Sequence, residues 1–338
     1  MARRSFQLLI PAAVTMALSL PISSAGADDF YKGNTAKIVV GYSAGGGYDR
    51  YVRTFAPHFA KHIPGKPNVI VQNMPGAASL KSIRYLDAGA PTDGTVVASF
   101  DPGLVTDSLT VPEKVPERFT NFHWIGAMAR DLRVCYALSS NKVTTWDQIM
   151  KSPGYTMGAT GRGSSAYKNA IVLTNMLKAP MKIITGYPGS NEQRLAMERG
   201  ELDSICGNFS SVPEDWINEK RMAAFVKFSR AKAAGLPDDV PFIGDLTKSE
   251  EDKKIIRLLF ESGEVGRPFA ASKKVPVARI KTLQTAFDAT MKDAAFLADM
   301  KKQRLVVDPV SGPEAAKIVE GIYDVSPDLV AKAKKLVE

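Results

Sequence analysis

The sequence is poor in the residues that most often carry catalysis. Among its 338 residues it has three histidines and two cysteines, and no histidine follows His123. An α/β-hydrolase needs a histidine late in the chain, after its nucleophile and its acid. A zinc site needs at least three ligands, and the sequence contains no H-E-x-x-H motif. We therefore predict no catalytic residue, no metal and no cofactor.

Signatures of nucleotide and nucleic-acid binding are missing as well. There is no G-x-x-x-x-G-K-[ST] segment, and GGGYDR at residues 45–50 lacks the third glycine of a dinucleotide fingerprint. Lys and Arg exceed Asp and Glu by 44 to 35, but no basic stripe with interleaved aromatic residues occurs. Nucleic acid is therefore not an expected partner. The mild positive excess suits a small acidic ligand.

Long apolar runs are absent after the first 27 residues. Those residues begin with two arginines, continue as an apolar run from Phe6 to Leu20 and end on an A-x-A pattern. This is the layout of a secretory signal peptide, and the run is too short to span a membrane. We predict cleavage after Ala27 and export of the mature chain.

The two cysteines leave two possibilities open. Cys135 and Cys206 both lie in apolar, strand-like segments. Two thiols that meet in an exported protein form a disulfide, whereas two that do not meet are small buried residues. Sequence alone does not show which of these applies.

Four strand–turn–helix units stand out, two in each half of the chain. Their turns are rich in Gly, Ser and Pro and cover residues 41–48, 73–79, 161–165 and 188–190. In open α/β sheets such turns gather beyond the carboxyl ends of the strands, and the helix starts favour a negative group. The pattern predicts an α/β fold with mainly parallel sheets and a site for a small anion.

The rest of the chain gives two further expectations. Residues 101–123 contain three prolines and are predicted to form a loop-like connection between lobes. After about residue 230 the pattern is mostly helical, and helices are predicted at residues 249–262, 276–291, 293–303 and 312–337.

Several polar residues have two interpretations. G-Y-S-A-G matches the nucleophile motif G-x-S-x-G, so Ser43 is either a nucleophile, which the missing late histidine disfavours, or a hydroxyl donor or helix cap. Asp49 either stabilises a helix start or accepts a hydrogen bond from a ligand. Arg162 either clamps a ligand carboxylate or is solvated. His58 and His62 lie off the apolar face of their helix and are expected to be solvent-exposed.

Taken together, the turn motifs resemble one known family. They occur over essentially the whole mature chain, in the order GYSAGGGYD, QNMPGAAS, APTDGT, GYPGSNEQRLAMERGELD, LPDDVP and GRPFA. They resemble the receptor component of tripartite tricarboxylate transporters, the Bug-type periplasmic solute-binding proteins. The sequence departs from that family at Ala44, where Pro is frequent, and at Ala78, where Gly is common.

The resemblance implies a two-lobed periplasmic binding protein of type II (Venus-flytrap), with mixed, mainly parallel sheets and a central ligand cleft. Lobe 1 would comprise residues 28–127 and 232–338, and lobe 2 residues 128–231. The protein would capture a tricarboxylate or other small organic acid in the periplasm, as a monomer. It would deliver this acid to an ion-coupled permease with a large many-span and a small few-span subunit. A ligand-sensing subunit of a signalling system is the alternative.

The candidate ligand contacts lie in the four turns. In lobe 1 the resemblance points to Gly45, Gly46, Asp49, Asn73, Gly76 and Ala77, and we add their neighbours Ser43, Gly47, Tyr48, Ala78 and Ser79. In lobe 2 it points to Gly163, Ser164, Ser165, Tyr187 and Ser190, next to Arg162. Backbone N–H groups are the main expected donors in the first two turns.

Overall fold

The computed structural model describes residues 30–42, 44–45, 47–159, 165–187, 190–230 and 232–337. The predicted signal peptide lies outside these residues. Five predicted ligand contacts also lie outside them, namely Ser43, Gly46, Arg162, Gly163 and Ser164. Within the described ranges, no helix combines the length and the apolar character that crossing a membrane requires.

The strands of the described residues form two sheets. Their bounds are β1 Thr35–Val40, β2 Asn68–Asn73, β3 Val96–Ser99, β4 Phe122–Ala127, β5 Arg133–Leu138, β6 Tyr155–Gly158, β7 Met181–Ile184, β8 Ser204–Asn208, β9 Met222–Lys227, β10 Pro268–Ser272 and β11 Val310–Ser311. Sheet A has the order β11-β4-β10-β3-β1-β2, and sheet B has the order β7-β6-β8-β5-β9.

The helices pack around these sheets. Their bounds are α1 Gly47–His62, α2 Leu80–Arg84, α3 Gly103–Thr110, α4 Trp146–Ile149, α5 Ser165–Asn175, α6 Ser190–Glu198, α7 Glu214–Asn218, α8 Glu250–Phe260, α9 Val277–Thr290, α10 Ala294–Lys302, α11 Gly312–Tyr323 and α12 Pro327–Val337. The single helix predicted at residues 312–337 is wrong. The chain divides it into α11 and α12 because proline lacks the N–H that a continuing helix needs, so Pro327 starts a new one.

Both sheets repeat one strand order. In sheet A the parallel strands β2-β1-β3 are followed by antiparallel β10 and then β4. In sheet B the parallel strands β7-β6-β8 are followed by antiparallel β5 and then β9. Each antiparallel strand is the first one after the chain crosses from the other sheet. This insertion in both lobes is the type II arrangement, and the predicted two-lobed α/β fold is confirmed.

Two expectations about the connections are wrong. Residues 101–123 are not a connection between lobes, because they contain α3 and lead into β4 of sheet A. The region after residue 230 is not only helical, because it also supplies β10 and β11. All five residues of β10 are buried and it opens with Pro268, so neither alternation nor β propensity marks it as a strand.

Sheet A is covered on both faces. Ile38 and Val40 of β1 lie in a buried cluster with residues of α1, α9 and α10, whereas Val39 lies in a second cluster with residues of α2, α3 and α11. Helix α12 lies farther out and packs against both lobes. Its Leu336 contacts apolar residues of both sheets' cores, and the Leu336 carbonyl accepts a 2.9 Å hydrogen bond from the Asn175 side chain in α5.

The two histidines of α1 are not solvent-exposed as expected. His58 is only 5% exposed, and its Nε2 lies 2.9 Å from a carboxylate oxygen of Asp299. His62 is half-buried and makes the same contact with Asp293, also at 2.9 Å. The prediction failed because α10 covers a side of α1 that lies beyond its apolar stripe.

A disulfide joins the two cysteines. Cys135 and Cys206 are direct neighbours on the antiparallel strands β5 and β8, with their Cα atoms 4.0 Å apart. Both residues are buried in the core of sheet B. The inserted strand β5 is therefore covalently attached to the parallel part of its sheet.

Reducing this disulfide is expected to lower the melting temperature of the protein. The cross-link closes a loop across a separation of 71 residues, and disulfides of this kind stabilise a fold by about 2–4 kcal/mol. Calorimetry with and without dithiothreitol measures the effect. The Cys135→Ala/Cys206→Ala double variant is the control, since its lower melting temperature should not respond to the reductant. A wild-type protein equally indifferent to the reductant would contradict the prediction.

Candidate functional site

The carboxylate of Asp49 accepts hydrogen bonds from both of the first two turns. It accepts hydrogen bonds from the Gly45 N–H at 2.8 Å, from Arg53 Nε at 2.9 Å and from Asn73 Nδ2 at 2.8 Å. Asn73 Nδ2 also donates to the Tyr42 carbonyl at 2.9 Å. Burial alone would raise the pKa of Asp49, but the bonds from Arg53, Gly45 and Asn73 outweigh it and hold this pKa below its usual value. The protein itself thus occupies much of the carboxylate's hydrogen-bonding capacity.

The second turn has a backbone that few residues adopt. Ala77, Ala78 and Ser79 all have positive φ angles, of 46°, 51° and 72°. Such a run costs free energy, and strain of this kind clusters at binding sites. Gly76, Ala77 and Ala78 are exposed, whereas the buried Ser79 Oγ accepts a 2.8 Å hydrogen bond from the Asp101 N–H. These turn residues stay predicted ligand contacts.

A cavity of about 280 Å³ opens between the two sheets. We call it the cleft cavity. Its described lining residues are Tyr42, Gly47, Tyr48, Asp101, Asp131, Arg133, Asn208 and Arg267. They come from the end of β1, the start of α1, the end of β3, the two chain crossings and the ends of β5 and β8. A smaller cavity of about 80 Å³ shares Asp101, Asp131 and Arg133 with it.

The predicted contacts are distributed unevenly around these cavities. Gly47 and Tyr48 line the cleft cavity, and Ser165 lines the smaller one. Tyr187 packs against the core of sheet B, and Ser190 is exposed at the start of α6. The described residues of the second turn line neither cavity. Half of the described lining residues of the cleft cavity are therefore charged side chains outside the four turns.

A buried ion pair forms one wall of the cleft cavity. Arg133 binds the Asp131 carboxylate through Nε at 2.8 Å and Nη2 at 2.7 Å, and the Asn208 amide donates to the same carboxylate. Burial would raise the pKa of Asp131, but the Arg133 guanidinium outweighs it and holds this pKa below its usual value. Asp131 in turn keeps the pKa of Arg133 raised against the effect of burial. The two charges neutralise each other.

The opposite wall is aromatic and carries a second carboxylate. The rings of Tyr42 and Tyr48 stack with centroids 4.6 Å apart. The Tyr42 hydroxyl donates to Asp101 at 2.8 Å, and the Gly103 N–H donates to the other oxygen of Asp101 at 2.8 Å. Burial and the nearby Asp101 charge both raise the pKa of Tyr42 and of Tyr48, so both phenols stay protonated donors.

The two chain crossings are hydrogen-bonded to each other beside the cleft cavity. The N–H groups of Met128, Ala129 and Asp131 donate to the carbonyls of Arg267, Gly266 and Gly263 at 3.2, 3.3 and 2.7 Å. We call this the crossing ladder. Gly266 is required here because a Cβ at this position would lie 2.6 Å from the Ala129 carbonyl oxygen.

The crossing ladder places Arg267 at the cleft cavity. Its guanidinium carbon lies 4.3 Å from the centre of the Tyr48 ring and 5.2 Å from that of Tyr51. Its Nε is buried and has no hydrogen-bond partner within the described ranges. Its φ of 55° is unusual for a long side chain. The only sequence signal for this residue was its place in the GRPFA motif, more than two hundred positions after the first turn.

Comparison with known proteins identifies relatives of this chain. No family model matches it. A curated relative, the UPF0065 protein in the gbd 5' region of Cupriavidus necator, is 28% identical over 261 residues, which are 75% of this chain and 67% of that protein.

Solved structures share the fold over nearly the whole chain. A TctC solute-binding protein from Polaromonas has a TM-score of 0.70 and 17% identity, and the match covers 91% of this chain and 99% of that one. MatC from Rhodopseudomonas palustris, solved with bound malate, has a TM-score of 0.61 and 16% identity over 90% of this chain and 99% of its own. The resemblance predicted from the turn motifs is confirmed.

Replacing Gly266 with alanine is expected to destabilise the protein. The added Cβ would lie 2.6 Å from the Ala129 oxygen and 2.8 Å from the Asp131 nitrogen, so the crossings must move apart. Overpacking of this kind costs about 1–3 kcal/mol, which urea unfolding measures. Gly263→Ala is the matched control, because its Cβ makes only an ordinary contact at 3.6 Å. Equal stabilities for the two variants would show that the close approach at Gly266 is unimportant.

Proposed function

We propose that this protein is a periplasmic receptor that captures a small organic acid in the cleft cavity between its two lobes. The observation that carries the proposal is a guanidinium without a direct ion-pair partner: Arg267 lines the cavity, and its buried Nε has no hydrogen-bond partner within the described residues. Lobe 1 is proposed to comprise residues 28–127 and 232–338, and lobe 2 residues 128–231. MatC, which shares the fold, was solved with malate, and this supports an organic acid here.

Two sources of positive potential meet in the cavity. Helix α1 has 16 residues and begins at Gly47, whose added Cβ would lie 3.9 Å from an Nη of Arg267. The free N–H groups and the dipole at a helix start favour a negative group, and a guanidinium binds a carboxylate through two parallel hydrogen bonds. A ligand carboxylate placed at this point interacts with both.

Binding is proposed to favour the closed arrangement of the lobes. Two ion pairs connect elements of the two sheets, Asp107 with Lys168 at 2.7 Å and Glu214 with Arg304 at 2.6 Å. The Glu214–Arg304 pair is exposed and the Asp107–Lys168 pair is part-buried. Ion pairs that water reaches are each worth about 1 kcal/mol or less, so they do not hold the lobes together by themselves. A ligand that contacts both walls of the cavity stabilises closure by its higher affinity for that state.

The location and the partner belong to the same proposal. The disulfide between Cys135 and Cys206 fits an oxidising compartment outside the cytoplasm, which the predicted signal peptide also indicates. The closed receptor would deliver its ligand to an ion-coupled permease with a large and a small membrane subunit. None of the three histidines is among the described residues of the cleft cavity, and we propose binding without catalysis.

Thermal unfolding with pairs of acids and their amides tests whether the cavity recognises a carboxylate. Succinate is compared with succinamide, benzoate with benzamide, and 2-hydroxybutanoate with its amide. An acid present at 100 times its dissociation constant stabilises the protein by about 2.7 kcal/mol. We expect at least one acid to raise the melting temperature while its neutral amide does not. Amides that stabilise as well as the acids, or no response across a wide acid panel, would refute the proposal.

Placing a carboxylate inside the cavity is expected to abolish acid binding. In Gly47→Asp the new side chain starts 3.9 Å from an Nη of Arg267 and can occupy it, while an acidic residue in the first helical turn leaves the fold stable. Val277→Asp adds the same charge at the start of α9, at a residue 59% exposed, and serves as the control. Titration calorimetry with the best acid of the panel compares the two. Undiminished binding by Gly47→Asp would place the site elsewhere.

A further inference from the structure

The charges around the cleft cavity do not suit a ligand with several carboxylates. Its described lining residues include two arginines and two aspartates. Arg133 and Asp131 bind each other through a hydrogen bond and a close ion pair and are neutral as a pair. Arg267 and Asp101 remain, and neither forms an ion pair within the described part of the chain. The cavity therefore offers a ligand one positive and one negative group.

The guanidinium of Arg267 is oriented by its neighbours so that it can bind a carboxylate. Its guanidinium lies over the rings of Tyr48 and Tyr51, which orient the group and shield it from water. The buried Nε lacks a partner among the described residues, and a buried donor without a partner is costly. The positive φ of Arg267 adds a further cost that the fold retains. A ligand carboxylate would reach the guanidinium at its Nη groups, one of which lies 3.9 Å from the position of a Cβ at Gly47, a lining residue of the cavity.

Asp101 is free to accept a further hydrogen bond. It receives one bond on each oxygen, from the Tyr42 hydroxyl and the Gly103 N–H. An ionised carboxylate has about four lone-pair sites, so capacity remains on both oxygens. A ligand hydroxyl or ammonium group meets an acceptor at this position, whereas a second ligand carboxylate meets a like charge. Asp101 thus distinguishes ligands that Arg267 alone would bind equally.

We propose that the ligand has one carboxylate, bound by Arg267, and one hydrogen-bond donor, a hydroxyl or an ammonium group, bound by Asp101. This inference rests on the proposed function and narrows the ligand from organic acids in general to hydroxy acids and amino acids of low net charge. The cavity of about 280 Å³ has the volume of about nine water molecules, which suits a small ligand of this kind. Dicarboxylates and tricarboxylates are disfavoured by the repulsion at Asp101.

Binding measurements on matched acids test this specificity. Calorimetry of the full mature chain compares four acids on one skeleton: butanoate, 2-hydroxybutanoate, 2-aminobutanoate and succinate. The corresponding plain, hydroxy, amino and dicarboxylic acids on the hexanoate and phenylacetate skeletons are measured in the same way, and citrate is added. We expect hydroxy or amino acids to bind about tenfold or more tightly than the plain acids and diacids of the same skeleton, since a hydrogen bond to a charged group contributes about 1.5–3 kcal/mol. The comparison of hydroxy with amino derivatives identifies the donor.

Tightest binding of a diacid or of citrate overturns the inference and leaves the proposed function standing. Failure of every acid overturns both.

Substitutions of Asp101 and Arg267 assign the roles of these two residues. Asp101→Asn removes the negative charge and keeps an acceptor for Tyr42, so it should weaken the donor-bearing acids and strengthen succinate, changing their ratio of dissociation constants about tenfold or more. Arg267→Gln should weaken all acids together, and Arg267→Lys should recover part of that loss because it keeps the charge without the fork. Asp147→Asn and Arg199→Gln change the same charges at exposed positions and are the controls.

The melting temperature of each unliganded variant is recorded to separate unfolding from loss of binding. An Asp101→Asn protein that is folded and has an unchanged specificity ratio refutes the role of Asp101. A folded Arg267→Gln protein with undiminished binding refutes the role of Arg267. If Arg267→Gln does not fold, a folded Arg267→Lys protein is compared with the wild type: weaker binding of all acids supports the role of Arg267, and undiminished binding refutes it.

Discussion

The hydrogen bonds between the two chain crossings are the constraint on which the site depends. The crossing ladder fixes residues 128–131 against residues 263–267, and it does so at the point where the chain passes between the sheets. Its closeness is possible only because Gly266 has no side chain. The same few residues carry the ion pair of Asp131 and the guanidinium of Arg267 into the cleft cavity. The segments that connect the two lobes therefore also line the cleft cavity.

The buried charges near the cavity are of two kinds: those satisfied by other groups of the protein and those that a ligand could contact. Asp131 and Arg133 compensate the cost of their own desolvation by binding each other, and Asn208 satisfies a further lone pair. Asp49 is satisfied in the same way by Gly45, Arg53 and Asn73. Arg267 has no direct ion-pair partner within the described residues. The ring of Tyr48 lies against its guanidinium, and Asp131 and Asp101 act on it from farther away. In the proposed function, the imbalance between these groups would make the cavity selective for the charge of the ligand.

Local patterns in the sequence predicted the elements well and the site only in part. The strand-like segments around Cys135 and Cys206 depend on neighbouring residues, and the structure contains them as β5 and β8. The first turn was found for the same reason, and its Gly47 and Tyr48 line the cleft cavity. Asp101 and Arg267 come together only because β3 and β10 are neighbours in sheet A. That pairing depends on β10, whose uniform burial hides the alternation of a strand.

Helix α12 has a consequence for how such a molecule can move. The chain crosses between the sheets twice, and α12 adds a third link, because it belongs to the end of the chain and yet binds α5 through Asn175 and Leu336. A further link of this kind restrains the motion of one sheet relative to the other. Removing α12 from the carboxyl terminus would release that restraint.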